Sequence, residues 1–272
     1  MTGLFASIPS PGRGVLHLGP LPIRAYGLML AFGVLAAVRI ADRRAIRFGL
    51  PVGIVQSIAT PVVVGGVVGA RVYHLFTGYD WTRDGIVGTV QIWNGGLSIW
   101  GAVLGGALAT WWVTRRLGFD RVVLFDVLAP AVAVGQAIGR WGNWFNQELF
   151  GRPTSLPWGV KIDPSHRPAQ YSDSAVFHPT FLYESLWLML MFFLITKLER
   201  RGVLGRGQSV TLYVALYTFE RFWMELLRVD SATRLFGVRF NALLSATLCV
   251  AATAQFVALR TRAGHRPTMH QM

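Results

Sequence analysis

The chain of 272 residues is 53% apolar and only 14% charged, with a mean hydropathy of +0.43, whereas soluble domains carry about 25% charged residues. This excludes an ordinary soluble domain and indicates an all-α polytopic membrane protein. A net charge of +13 would suit nucleic acid, but the basic residues lie between long uncharged runs and not on a solvated face, so no nucleic-acid partner is expected.

The first eleven residues have no basic segment and too short an apolar run for a cleavable signal peptide, so the first span is expected to direct insertion. A hydrocarbon core about 30 Å thick takes roughly 20 helical residues. That length, laid along the sequence, predicts seven transmembrane helices at about 24–41, 53–73, 97–114, 122–140, 178–197, 208–227 and 239–259. The runs 52–70 and 240–259 are uncharged throughout, whereas Asp126 shortens the apolar part of the fourth span. There is no repeat or second domain, so residues 1–272 read as a single transmembrane domain. Pro61 is expected to kink the second span, and Pro153, Pro157, Pro164 and Pro168 to make the 140–178 segment irregular. Gly65-x-x-x-Gly69 and Gly101-x-x-x-Gly105 are small-residue stripes that let helices approach closely.

Alternate connections differ in basic density. One set holds Arg39, Arg43, Arg44 and Arg47, then Arg115, Arg116 and Arg121, then Lys197, Arg200, Arg201 and Arg206, and finally Arg260, Arg262 and Arg266. The opposite set is sparser, so the N-terminus is expected outside, the C-terminus in the cytoplasm and the 140–178 segment on the extracytoplasmic side. Trp81, Trp93 and Trp158 fit an aromatic belt. The single cysteine, Cys249, lies inside the last apolar run and reads as a small buried hydrophobe.

The stretch from Gly135 to Gly151 breaks this pattern, because an apolar run there ends in Arg140, Asn143, Asn146 and Glu148. Polar groups close to hydrocarbon are costly, and such a cluster marks a site that handles a polar group at a membrane surface. The plain alternative is an interfacial loop anchored by Trp141 and Trp144. The sixth span carries Glu220, Arg221 and Glu225 and is followed by Arg228; the i, i+4, i+7 spacing of residues 221, 225 and 228 puts them on one face. At about 1.5 Å per residue Arg221 lies roughly 9 Å below the end of that span, at headgroup depth. An ion pair between Arg221 and Glu225 that only ties helices together is the alternative there. Arg24 and Tyr26 open the first span and His178 to Glu184 the fifth, so four spans bring polar groups to one level. Several arginines at that level suit an anionic lipid phosphate, which guanidinium binds bidentately while staying charged. Arg71, near the outer end of the second span, is a further basic residue outside the loops.

These residues resemble the bacterial prolipoprotein diacylglyceryl transferase family from end to end. The resemblance rests on His17-Leu-Gly-Pro, Arg24-Ala-Tyr-Gly-Leu-Met, Gly95-Gly-Leu-Ser-Ile-Trp-Gly, Gly139-Arg-Trp-Gly-Asn-Trp-Phe-Asn-Gln-Glu-Leu-Phe-Gly-Arg152, His178-Pro-Thr-Phe-Leu-Tyr-Glu184 and Arg221-Phe-Trp-Met-Glu-Leu-Leu-Arg228. The Gly-Arg-x-Gly-Asn-x-x-Asn-x-Glu block is the most specific of these. The resemblance implies a seven-helix inner-membrane enzyme without cofactor or metal. Such an enzyme moves the diacylglyceryl group of phosphatidylglycerol onto the lipobox cysteine of a preprolipoprotein signal peptide and releases glycerol phosphate. It further implies a catalytic set of Arg140, Arg221, Glu148, Glu225 and Tyr26, and substrate binding by Arg140, Asn143, Asn146, His178 and Arg228. The sequence departs from the family in having Trp100 where many members have a histidine sometimes assigned as base, and indole N–H only donates. Arg24 likewise stands where many members have a histidine.

The reaction needs a thiolate and stabilisation of a departing phosphate. Arg140 and Arg221 are expected to neutralise that phosphate; if a base acts, Glu148 and Glu225 are the candidates. A transporter or anion channel lined by Arg71, Arg140 and Arg221 is the alternative, but it would spread charge through the membrane depth. An acyltransferase or lipid phosphatase would need a nucleophilic Ser or His with an orienting carboxylate, or a metal cluster, and no such spacing occurs.

Overall fold

The structure is a computed structural model; residues 7–12, 14–18, 21–77, 81–91 and 99–264 are described. The segment around Gly95 lies outside the described residues, as do the side chains of His17, Trp81, Trp93 and Trp100. Seven long helices occupy the seven expected spans: α1 (Ala25–Arg47), α2 (Ile54–Thr77), α4 (Ile99–Leu117), α5 (Arg121–Asn146), α6 (Thr180–Arg200), α7 (Gln208–Leu227) and α8 (Phe240–Gly264). A short helix α3 (Trp81–Gly88) follows α2. Five of the long helices are long and apolar enough to cross a membrane. Of the other two, α7 holds Glu220, Arg221 and Glu225, and α4 ends in Arg115 and Arg116.

α1 and α5 outrun their expected spans the most. α1 continues through Arg39, Arg43 and Arg44 to Arg47, and α5 continues past Arg140 to Asn146. The candidate residues Arg140 and Asn143 therefore stand on a helix and not in an interfacial loop. Trp141 and Trp144 hold that last part of α5 in place. Both pack against Phe181 of α6, with ring centroids 5.5 and 6.0 Å away, and Trp141 Nε1 donates to Ser185 Oγ at 3.3 Å.

Contacts group the chain into two compact units, residues 1–39 with 125–272, and residues 40–124. In the second unit α2 packs along α4. The two glycine stripes face each other there: a Cβ on Gly65 would come within 2.9 Å of the Gly105 carbonyl oxygen, and one on Gly69 within 2.9 Å of Gly105 Cα. Arg71 is buried, and its Nε donates to Thr89 O at 2.9 Å while Nη2 donates to Gly88 O at the end of α3.

In the first unit α7 packs on α6 and α8, and α5 joins them through a core of Ala133, Ala137, Leu188 and Met191, with Trp187, Tyr213, Leu216 and Tyr217 around it. The first turn of α7 is capped from another helix. Asp126 of α5, 2% exposed, accepts from Gly207 N at 2.6 Å and Val210 N at 3.0 Å, which satisfies donors the helix start leaves unpaired and places a negative charge at its positive end. Large apolar side chains point outward, among them Phe32, Leu35, Leu186 and Phe193, each more than half exposed. In water each would forfeit about 1.5–3 kcal/mol; in a bilayer they form the lipid-facing surface.

Three antiparallel strand pairs close helix ends: β1 (Val15–Leu18) with β2 (Leu21–Arg24), β3 (Val160–Lys161) with β4 (Val176–Phe177), and β5 (Arg234–Leu235) with β6 (Val238–Arg239). The β5–β6 turn places Phe236 and Gly237 at φ 52° and 80°, the two-residue geometry that matches strand twist. It delivers Arg239 directly onto the start of α8. Between α5 and α6, Phe150, Val160, Ile162, Phe177 and Phe181 form a small core under single 3₁₀ turns at Pro164–His166 and Ala169–Tyr171.

Candidate active site

Polar residues of four spans meet at one set of helix ends, the C-terminal parts of α5 and α7 and the N-terminal parts of α6 and α8. Glu184, one turn into α6 and 2% exposed, is the hinge of the arrangement. Arg140 Nη2 of α5 lies 2.5 Å from its Oε2, and Arg221 Nη1 of α7 lies 3.9 Å from the same oxygen. Arg221 also pairs with Glu225 one turn on. Glu225 is fully buried and receives two further arginines, Arg228 Nη1 at 3.4 Å and Arg239 Nε at 2.8 Å. Both of these continue to Asp230, at 2.7 Å from Arg228 Nε and 3.1 Å from Arg239 Nη2. An unbroken chain of opposite charges thus runs from α5 through α6 and α7 to the start of α8. Burial pushes the Asp230 carboxyl up, but Arg228 and Arg239 outweigh it and hold the group below the usual carboxylate range.

Arg140 and Arg221 are each about four-fifths buried, yet neither is used up by a bidentate pair. Arg140 is also within electrostatic reach of Tyr217, Glu220 and Tyr26. Tyr26 enters from α1, within reach of Glu148 and Arg140, and lies flat on Gly142; a Cβ at Gly142 would come 2.6 Å from Tyr26 Cδ2. Gly142 therefore leaves the space that the tyrosine ring fills.

After α5 the chain turns sharply, with Gln147 at φ 51° and Leu149 at φ 59°. Non-glycine residues in this region cost about 1–2 kcal/mol, and here the turn is held by specific bonds. Gln147, 4% exposed, donates to Asp163 Oδ2 at 2.6 Å and accepts from Asp163 N at 2.8 Å. The turn brings Glu148 back over the helix end, where Oε1 accepts from Asn143 Nδ2 at 2.9 Å and Asn146 Nδ2 at 3.3 Å. Glu148 is itself exposed. Beside it opens a cleft of about 400 Å³, lined among others by Asn146, Glu148, Arg167 and Asp230. The next residues staple to neighbouring helix ends: Gly151 bridges Arg228, and Arg152 N donates to Leu227 O at 3.0 Å.

A match of residues 13–258 to the family model described as prolipoprotein diacylglyceryl transferase decides the affiliation. The chain belongs to the prolipoprotein diacylglyceryl transferase family. Relatives named phosphatidylglycerol–prolipoprotein diacylglyceryl transferase include one from Frankia alni, 48% identical over 94% of this chain and 68% of its own length. One from Frankia casuarinae is 45% identical over 95% and 63%. The transferase numbered 2 from Streptomyces coelicolor is 46% identical over 93% and 81%.

Against this diacylglyceryl transferase background the expected site residues fall into three groups. Arg140, Arg221, Glu225 and Arg228 lie in one ion chain, with Arg228 on the extended residue that ends α7 and not on its helical face. Asn143 and Asn146 converge on Glu148, and Tyr26 stands beside Arg140. His178 is apart from them: its Nδ1 pairs with Tyr183 Oη at 3.1 Å, Trp158 Nε1 donates to the same hydroxyl at 3.0 Å, and burial pulls its imidazole below the ordinary histidine range. The sequence pattern did not assign Glu184, Arg239 or Asp230 to the site. Glu184 carried a signal, a lone acid one turn inside an apolar span, whereas Arg239 read as a loop charge because it directly precedes α8.

Proposed function

We propose that this chain transfers the diacylglyceryl group of phosphatidylglycerol to the thiol of the lipobox cysteine of a prolipoprotein, forming a thioether and releasing glycerol phosphate. The observation that carries the reading is the sharing of one buried carboxylate, Glu184, by Arg140 and Arg221 from two different helices. Two guanidiniums at a lipid-accessible level suit a phosphodiester, whose oxygens take the donors that Glu184 leaves free. In the reaction the substrate thiolate attacks the glyceryl carbon that bears phosphate. The sulfur–carbon bond forms, the carbon–oxygen bond breaks, and its electron pair leaves on the phosphate. Arg140 and Arg221 stabilise the charge as it develops there. Glu225 already accepts from three arginines; Glu148, held only by amides and open to the cleft, is the better placed of the two candidates to reach a substrate. Asn143 and Asn146 orient Glu148, Tyr26 packs beside Arg140, and Arg228 fixes Glu225. The scheme uses side chains alone, without metal or cofactor.

In this reading the whole chain is one transmembrane domain of the bacterial inner membrane, with the site in the extracytoplasmic leaflet, where lipoprotein precursors emerge. The basic last turns of α1, α4 and α6 support that orientation.

Purified protein, a lipobox peptide and phosphatidylglycerol in mixed micelles test the proposal by mass spectrometry. A diacylglyceryl adduct on the peptide cysteine is expected, strongly reduced in Arg140→Lys and Arg140→Gln. No adduct with wild-type protein would overturn the activity, and unchanged rates in both variants would remove Arg140 from the phosphate role.

A further inference from the structure

Glu220 is the one buried acid of this region that the ion chain leaves out. It precedes Arg221 on α7, is 5% exposed, and its Oε1 has no hydrogen-bond partner. The charged groups facing it are Glu184 from α6, Arg140 from α5 and Arg221 from its own helix. Tyr217 and Tyr26 complete the ring of titratable groups around Arg140. Glu184 forms ion pairs with both arginines and Glu225 accepts from three, so among the described residues Glu220 is the one buried carboxyl group coupled to Arg140 and Arg221 that forms no ion pair.

The charge balance gives this position a consequence. Ionised, Arg140, Arg221, Arg228 and Arg239 are matched by Glu184, Glu220, Glu225 and Asp230. With Glu220 ionised, the cluster is neutral before any lipid arrives. A phosphodiester placed between Arg140 and Arg221 adds a negative charge to a buried region, where charge without a counterion is costly. Three responses are open: displacing a carboxylate, importing a cation or taking up a proton. The first would strand Glu184 among apolar helices; the last needs only an acid that faces both guanidiniums and has an oxygen to spare.

We propose that anionic headgroup binding between Arg140 and Arg221 is coupled to uptake of one proton by Glu220, so that this residue is a positioning residue that keeps the occupied site neutral. The inference rests on the phosphate-site reading above. The proton is taken from water on binding and returned when glycerol phosphate departs, so the net reaction is unchanged.

Calorimetric titration of the detergent-solubilised full-length protein with dioctanoylphosphatidylglycerol, in buffers of different ionisation enthalpy, counts protons taken up per lipid bound. For wild type, uptake approaching one proton is expected once Glu220 is ionised before binding, with affinity falling about tenfold per pH unit in that range. Glu220→Gln, neutral and of the same shape, should bind lipid with no uptake and with an affinity independent of pH. Wild-type binding without uptake at every pH at which the protein stays folded, or uptake undiminished in Glu220→Gln, overturns this inference and leaves the phosphate site standing. Uptake lost in Glu184→Gln but kept in Glu220→Gln moves the proton to Glu184 and equally overturns it. No lipid binding by wild type overturns the phosphate site itself. Inorganic phosphate is the second arm: uptake with phosphate but none with lipid would show that the coupling belongs to a free anion and would overturn the proposal.

Discussion

Glu184 shows what one carboxylate does when two cations depend on it. Its removal leaves Arg140 and Arg221 buried without their shared partner, and breaking a buried pair this way costs about 3–5 kcal/mol. Glu184→Gln is therefore expected to lower the thermal stability of the solubilised protein as well as its transferase rate; an unchanged melting temperature would show that the pair contributes nothing net. Tyr26 and Gly142 make a second, separable prediction. A methyl at Gly142 meets the tyrosine ring and not backbone, so Gly142→Ala should displace Tyr26 and depress activity with little loss of fold. If the effect runs through that ring, Gly142→Ala adds almost nothing in a Tyr26→Ala background, and full additivity in the double-mutant cycle would refute the link. Asp230 supplies the pH dependence. Its carboxyl is held below the ordinary range by Arg228 and Arg239, so the folded state binds its proton less readily than the unfolded chain. The stabilisation is complete above the unfolded carboxylate value, about 4, and is lost as pH falls through the depressed folded value. Asp230→Asn should flatten the acid limb of a melting-temperature profile; an acid limb of unchanged slope would remove Asp230 from it.

At the scale of elements, the α2–α4 packing depends on the absence of side chains. Gly65, Gly69, Gly101 and Gly105 place each helix against the other's backbone, so a methyl has no flexible neighbour to push aside. Gly105→Ala should separate the helices at a cost of about 1–3 kcal/mol, seen as earlier thermal unfolding; a stability equal to wild type would mean that the helices do not meet along this stripe. The stripes were legible in the sequence because spacing alone creates them. So were all seven long helices, since a bilayer enforces a run of apolar residues. What hydropathy could not show is where helices persist after apolarity ends. α5 runs on through Arg140, Asn143 and Asn146 because each of these polar groups, or a neighbouring tryptophan, has a partner in the folded protein. A hydropathy reading counts only their cost. Asp126 illustrates the same blindness, since it weakened a predicted span yet caps the start of α7 from inside the bundle. Arg239 was illegible for a related reason: a two-residue hairpin turn, and not a helical period, brings it to Glu225 and Asp230.

Along α6 and α7 the candidate site and the basic residues occupy opposite helix ends, and this gives the whole molecule a testable orientation. α6 begins beside Glu184 and ends in Lys197 and Arg200; α7 begins after that basic turn and ends beside Glu225 and Arg228. The segment between α5 and α6 must then share a side of the membrane with the ion chain, and the α6–α7 connection must lie opposite. The chain's only cysteine, Cys249, is half-buried with its Sγ 3.5 Å from Ala215 O, away from the ion chain. Cys249→Ala should leave transferase activity intact and give a background in which an introduced thiol is the sole label. Ala175→Cys, exposed between α5 and α6, should react with a membrane-impermeant maleimide in intact spheroplasts. Val203→Cys, exposed after α6, should react only once the membrane is permeabilised. The reverse pattern would place the arginine pair on the cytoplasmic face, where a signal peptide emerging from the translocon could not reach it. Because that result would defeat the proposed thiol acceptor while leaving the phosphate site untouched, the labelling experiment separates the lipid half of the proposed function from its peptide half.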